Sequence, residues 1–118
     1  MYQRPHERLV AWKEGYNLCL EIYKVTKEFP SDERFGLTSQ MRRSAYGIPT
    51  NIAEGNTKKS MKERAHFFEI AHASLEELHC ECRLAKDLEY IDEKILDSLD
   101  TKINRVSFLL HRLRSSLQ

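Results

Sequence analysis

The sequence is short of the residues that build reactive or cross-linked sites. Its three cysteines, Cys19, Cys80 and Cys82, are odd in number, and the last two lie two apart on a helical pattern, facing different ways. That excludes a disulfide framework and a four-ligand zinc site, and leaves reduced thiols. With only four glycines there is no loop to cradle a phosphate, and Ser39, Ser44 and Ser74 have no glycine-flanked elbow to make them nucleophiles. No apolar run is long enough to span a bilayer, and the polar N-terminal MYQRPHERL carries no charged-then-apolar signal. The expectation is a cytoplasmic protein with no membrane partner, no cofactor and no catalytic residue. A net charge of only +1 also argues against a chain that coats nucleic acid along its whole surface.

What the sequence does have is helical periodicity. Its 118 residues, 41% hydrophobic and 31% charged, suit one soluble helix-rich domain, residues 1–118, with a core of its own. A first helix is expected over 9–29. Trp12, Tyr16, Cys19, Tyr23 and Thr26 form one stripe on it, Leu18, Ile22, Val25 and Phe29 a second, and Pro30 ends it. Phe35, in the connector that follows, is expected to tuck under the bundle. The second helix, 37–54, has Leu37, Met41, Ala45, Ile48 and Ile52 as its apolar side. It contains Pro49, which predicts a kink or two short helices, and Gly55 suits a left-handed closing residue.

Ser60 and Glu63 form a capping box that starts a third helix, 61–88, with Phe67 or Phe68, Ala71, Leu75, Leu78, Cys82, Ala85 and Leu88 as its stripe. Asp92 caps a fourth, 93–115, on which Leu96, Leu99, Ile103, Val106, Leu110, Leu113 and Leu117 alternate spacings of three and four. Short connections between such helices predict an all-α, antiparallel up-down-up-down four-helix bundle with a proline-kinked second helix.

The charges are unevenly spread. Residues 1–33 carry five basic and six acidic side chains, 34–64 seven and two, 65–100 three and ten, and 101–118 four and none. The basic block holds Arg42, Arg43, Lys58, Lys59, Lys62 and Arg64, which are expected to gather near one end of the bundle and attract phosphate. The plainer alternative is that they are solvated or paired with the acidic third helix. Phe35 and Tyr46 are the rings nearest to them in sequence, which is too few for a base-stacking cluster.

Several segments resemble a known family. Ala11-Trp12-Lys13, Ile22-Tyr23, Thr26 with Phe29-Pro30, the run Phe35 to Ala45, the run Ile48 to Gly55, and Ser74-Leu75 with Glu77-Leu78 are similar to the bacterial four-helix-bundle proteins, also called 23S ribosomal RNA intervening-sequence or S23 proteins. The likeness covers about residues 9–91, and the fourth helix matches in pattern only. It departs at Tyr46-Gly47, where the family more often has a small aliphatic residue and serine, and at Ala73, where glycine is common. The resemblance implies a homopentameric barrel, with no catalytic residues to carry over. It also implies a relation to the accessory protein of diversity-generating retroelements, whose partners are a reverse transcriptase and nucleic acid.

Two further patterns bear on function. Glu69-x-x-His72 and Glu76-x-x-His79 repeat the ligand unit of di-iron bundles, but both lie on one helix, and a polar flank is the simpler reading. Gln40, Ser44, Gly47, Asn51 and Glu54 form a polar stripe beside the apolar side of the second helix. There Arg43, Pro49, Asn51, Glu54 and Gly55 are candidates for subunit contacts or for shaping the helix. The function these features imply is a non-enzymatic oligomeric protein that contacts structured RNA or a nucleic-acid enzyme. The alternatives are an interaction scaffold and, third, a metal-binding bundle.

Overall fold

Four helices account for most of the chain: α1 (Val10–Thr26), α2 (Leu37–Thr57), α3 (Met61–Asp87) and α4 (Glu93–Ser115), with short 3-10 turns at Pro5–Arg8 and Ser31–Glu33. They are seen in a computed structural model that describes residues 2–117. Each helix packs on its neighbours in sequence, and α1 closes the ring against α4. Paired side chains show that every neighbouring pair runs antiparallel. Gly15 faces Ile48 and Thr26 meets Arg42, Ser44 meets Glu77, Lys86 meets Glu93 while His79 meets Asp100, and Glu14 and Glu21 meet Arg105 and Lys102. This is the expected all-α up-down-up-down bundle.

The expected apolar positions of α2 are all buried, as are Phe68, Ala71, Leu75, Leu78, Cys82 and Ala85 of α3 and Leu96, Leu99, Ile103, Val106 and Leu110 of α4. Each fully buried leucine or isoleucine is worth about 1.5–3 kcal/mol against its exposed state, so this seam is the main source of stability. Asp92 accepts the Ile95 N–H at 2.8 Å and Ser60 Oγ the Glu63 N–H at 3.1 Å, so both expected N-caps are in place. At the other end of α3 the chain turns through Glu89, at φ 65°, as Tyr90 N–H bonds Ala85 O and Glu89 N–H bonds Lys86 O. This is a Schellman closure on a non-glycine residue.

Several expectations are corrected. On α1 the buried residues are Ala11, Gly15, Leu18, Cys19, Ile22 and Thr26, while Tyr16 and Tyr23 lie on the outside. The row that prevails contains the small residues, because α1 and α2 approach closely where Gly15 faces Ile48 and Pro49; a Cβ on Gly15 would stand 3.0 Å from Ile48 Cγ2. The helix also ends at Thr26, a turn before Pro30, in a tightened turn with Glu28 N–H on Val25 O and Phe29 N–H on Thr26 O. Leu88 is exposed at the end of α3, and Ile91 fills the core in its place.

α2 runs unbroken through Pro49, which is buried, and so is not two short helices. Gly55 does not close it. The helix continues to Thr57, and no glycine among the described residues has a positive φ. Gly55 is a contact glycine, because a Cβ there would lie 2.8 Å from Phe68 Cε1 and 3.0 Å from Phe67 Cβ.

Candidate nucleic-acid interface

Because α2 is one continuous helix, it separates the basic residues instead of gathering them. From Arg42 to Lys58 is sixteen positions, about 24 Å along the axis at 1.5 Å per residue. Arg42 and Arg43 therefore stand at the α1–α2 end, and Lys58, Lys59, Lys62 and Arg64 at the α2–α3 end. The expectation of one gathered patch is corrected to two.

At each end one arginine is fixed by the backbone. Arg42 Nε donates to Thr26 Oγ1 at 2.9 Å and its NH2 to Tyr23 O at 3.3 Å, and its guanidinium lies 4.7 Å from the centre of the Tyr23 ring. It thereby satisfies the last turn of α1, whose carbonyls have no partners within the helix. Arg64 does the same for α2. Its Nε donates to Lys58 O at 2.8 Å and its NH2 to Asn56 O at 3.2 Å. Lys58 lies over the Phe67 ring, 5.0 Å from its centre. Arg43, Lys59 and Lys62 are exposed.

Among the described residues none of the seven basic side chains of 34–64 lies within 4.0 Å of a carboxylate. The acidic third helix does not neutralise them. Of its own carboxylates, Asp87 pairs with Arg83, Glu76 lies beside His72 and Glu77 accepts the Ser44 hydroxyl, while its Lys86 and His79 meet Glu93 and Asp100 of α4. Two cations of α4 are paired across the bundle, Lys102 with Glu21 and Arg105 with Glu14 of α1.

The polar stripe of α2 is mostly turned inward. Ser44 is buried and donates to Glu77 Oε2 at 3.1 Å, Gly47 lies against Ser74, and Asn51 Nδ2 donates to Gly47 O at 2.7 Å. Ser44, Gly47 and Gly55 lie at the close α2–α3 contact, Asn51 is tied to the backbone of its own helix and Pro49 is buried, whereas Glu54 is exposed. Beside Ser44, the half-buried carboxyl of Glu81 is pushed above its ordinary range by burial and by the Glu77 charge, with the Ser44 hydroxyl opposing the shift. The Cys82 thiol is pushed up to about 12 by burial and by the charges of Asp100 and Glu81.

The two Glu-x-x-His units are not brought to one centre. His72 Nε2 is 3.6 Å from Glu76 on its own helix, His79 Nε2 is 3.6 Å from Asp100 on α4, and Glu69 is exposed. Among the described residues no group of three or more histidine, cysteine or acidic side chains is set to hold a metal ion. Nor is any helix among them long and apolar enough to cross a membrane.

The α1–α2 end also has what the sequence appeared to lack. Tyr23, Phe35 and Tyr46 line one hollow of about 480 Å³ together with Arg34, Arg42 and Arg43. Phe35, expected to be tucked away, is 89% exposed, with the Arg34 guanidinium 5.3 Å from its ring centre. In the sequence Tyr23 falls in register with the α1 stripe and so carries the mark of a core residue. Gly15 was the signal that could have turned that stripe outward, since an in-helix glycine marks the face that touches another backbone.

The structure is similar to a solved one, a protein of unknown function from the S23 ribosomal protein family of Bacteroides thetaiotaomicron. The TM-score is 0.82 at 21% identity, over 89% of this chain and 98% of that one. That likeness speaks for the fold. No curated protein matches. The sequence pattern of the 23S rRNA-intervening sequence protein matches residues 7–112, through most of α4 and so beyond the segments recognisable by eye. The match spans nearly the whole bundle, and the chain belongs to the 23S rRNA-intervening sequence protein family.

Proposed function

We propose that this protein is a non-catalytic binding protein that holds RNA through the cations at the two ends of α2. The observation that carries this reading is the set of seven basic side chains from Arg34 to Arg64, set among only two acidic ones and, among the described residues, left without a carboxylate partner. On the same molecule Arg83, Lys86, Lys102 and Arg105 are neutralised in place. An unpaired cation on a chain of net charge +1 is a local field, not a general one, and it favours a polyanion at defined places. Two cationic ends about 24 Å apart suit a folded or extended RNA better than a small phosphate.

The test is titration of the protein with RNA at rising salt. Log affinity should fall linearly with log salt, by roughly 0.7–0.9 for each phosphate neutralised. Absence of binding at low salt would overturn the reading.

A specific observation also favours self-association. Tyr16 and Leu20 are exposed on the outside of α1, and the ring of Trp12, half-buried against the core, stacks on Tyr16 at 4.9 Å. This apolar row suits a second copy of the chain, in keeping with a homo-oligomer and, by resemblance, a pentamer. A mass of 13.9 kDa by light scattering, that of one chain, would contradict it.

A further inference from the structure

We infer that the hollow between the end of α1 and the start of α2 is a binding site for unpaired bases of a single-stranded RNA, with Phe35 as the stacking platform and Arg34 and Arg43 on the flanking phosphates. The inference rests on the RNA-binding reading above and names the form of RNA it takes. Phe35 carries most of the argument. A phenylalanine 89% exposed gains nothing for the fold, and burying such a side chain is worth about 1.5–3 kcal/mol. It therefore stands ready for a surface that will cover it. Its setting says which kind. Three rings and three guanidiniums share the hollow, and among the described residues none of the guanidiniums is paired with a carboxylate.

The three arginines are not equivalent. Arg42 has two donors fixed on Thr26 and Tyr23 O, which holds its plane against the Tyr23 ring and stiffens that wall of the hollow. Arg43 is exposed and has no ion partner, and Arg34 rests over Phe35, where it can stack with the ring or reach a phosphate beside a base lying on that ring. Glu33, the residue before Arg34, does not compete for it. Its carboxylate accepts the Leu37 N–H at 3.0 Å and the Tyr90 hydroxyl at 2.7 Å.

A second hollow of about 330 Å³ shares Arg34, Thr38 and Arg42 with the first and continues past Lys27. The two join into one track along the α1–α2 corner. Guanidiniums spaced along a track with rings between them match a strand whose phosphates alternate with bases. A duplex offers phosphates but keeps its base faces stacked inside, so it leaves Phe35 uncovered.

The test compares a labelled short oligouridylate with an RNA duplex of the same length, bound by the wild-type protein and by Phe35→Ala, Phe35→Trp and Arg43→Ala variants. The wild type should prefer the single strand. Phe35→Ala should weaken single-strand binding on the order of 5- to 100-fold while leaving duplex binding unchanged, and Phe35→Trp should restore it. Arg43→Ala should weaken both and reduce the salt slope by about 1. Phe35 is exposed, so loss of folding is not expected, and circular dichroism of each variant checks this.

Equal single-strand and duplex affinity, or Phe35→Ala binding like the wild type, would overturn the inference and leave the RNA-binding reading standing. Failure of both RNAs to bind at low salt would overturn both. If Phe35→Ala instead changes the mass by light scattering with RNA affinity unaltered, the hollow is a protein contact and the inference is wrong.

Discussion

The two ends of α2 solve the same backbone problem and then diverge. At each, an arginine reaches back to the end of the helix that has just finished, Arg42 to the Thr26 hydroxyl and Tyr23 O at the end of α1 and Arg64 to two carbonyls at the end of α2. Beyond that the ends differ in what surrounds the charge. The α2–α3 end is tightly packed, with Gly55 against Phe67 and Phe68 and Lys58 laid over Phe67, so its aromatics are already used within the fold. The α1–α2 end leaves Phe35 and Tyr46 uncovered beside arginines. Similar composition thus gives a packed corner at one end and an open, ring-lined corner at the other. What separates them is whether the rings have been spent on packing.

That contrast can be broken by mutation, most strongly at the packed end. Gly55→Ala gains up to about 1 kcal/mol of helix propensity but places a methyl 2.8 Å from the fully buried Phe68 ring. Overpacking of this kind costs about 1–3 kcal/mol, so the variant should be less stable by denaturant titration. A more stable Gly55→Ala would show that the corner is loose.

Next in size, Arg42→Ala and Arg64→Ala each remove two hydrogen bonds to helix-end acceptors and should each lower stability by about 1–2 kcal/mol in the same measurement. They should differ in binding. Loss of Arg42 also frees the Tyr23 wall and weakens single-strand RNA, whereas loss of Arg64 leaves the preference for single strands intact.

The smallest effect is a pH dependence near the recognition end. Glu81 has its carboxyl raised in the folded state, first by burial, so at neutral pH its charge destabilises the fold relative to the unfolded chain. Glu81→Gln should therefore raise the melting temperature at neutral pH. The advantage should disappear as pH falls through the raised folded value towards the ordinary 4.5, where the wild type becomes neutral as well. A gain that persists at lower pH would mean that the amide acts through some other contact.

Much of the bundle was legible in the sequence because helical period and capping chemistry are local. The α4 seam, the Asp92 and Ser60 caps and the apolar side of α2 all follow from spacings within a few residues. What was not legible depended on distance between elements. Gly55 reads locally as a helix terminator, and only the approach of Phe68 from α3 makes it a contact glycine. Arg42 and Arg43 read as neighbours of Lys58 until the continuity of α2 through Pro49 places them about 24 Å away. Tyr23 reads as a core residue because apolar spacing says which residues share a face, not which of two faces is covered, and Phe35, in a connector, has no periodicity to place it at all. The ring cluster of the candidate site stayed hidden for those reasons.

The central claim, that the α1–α2 end recognises unpaired bases while the α2–α3 end supplies only charge, is tested most directly by one paired titration. Single-stranded and duplex RNA would be bound in parallel to the Phe35→Ala protein and to a Lys58→Ala/Lys59→Ala/Lys62→Ala protein. The account predicts that Phe35→Ala loses the single-strand preference with its salt slope unchanged. The lysine variant should keep the preference and lose slope, by about 1 for each phosphate contact removed. A lysine variant that loses the preference, with Phe35→Ala retaining it, would contradict the account.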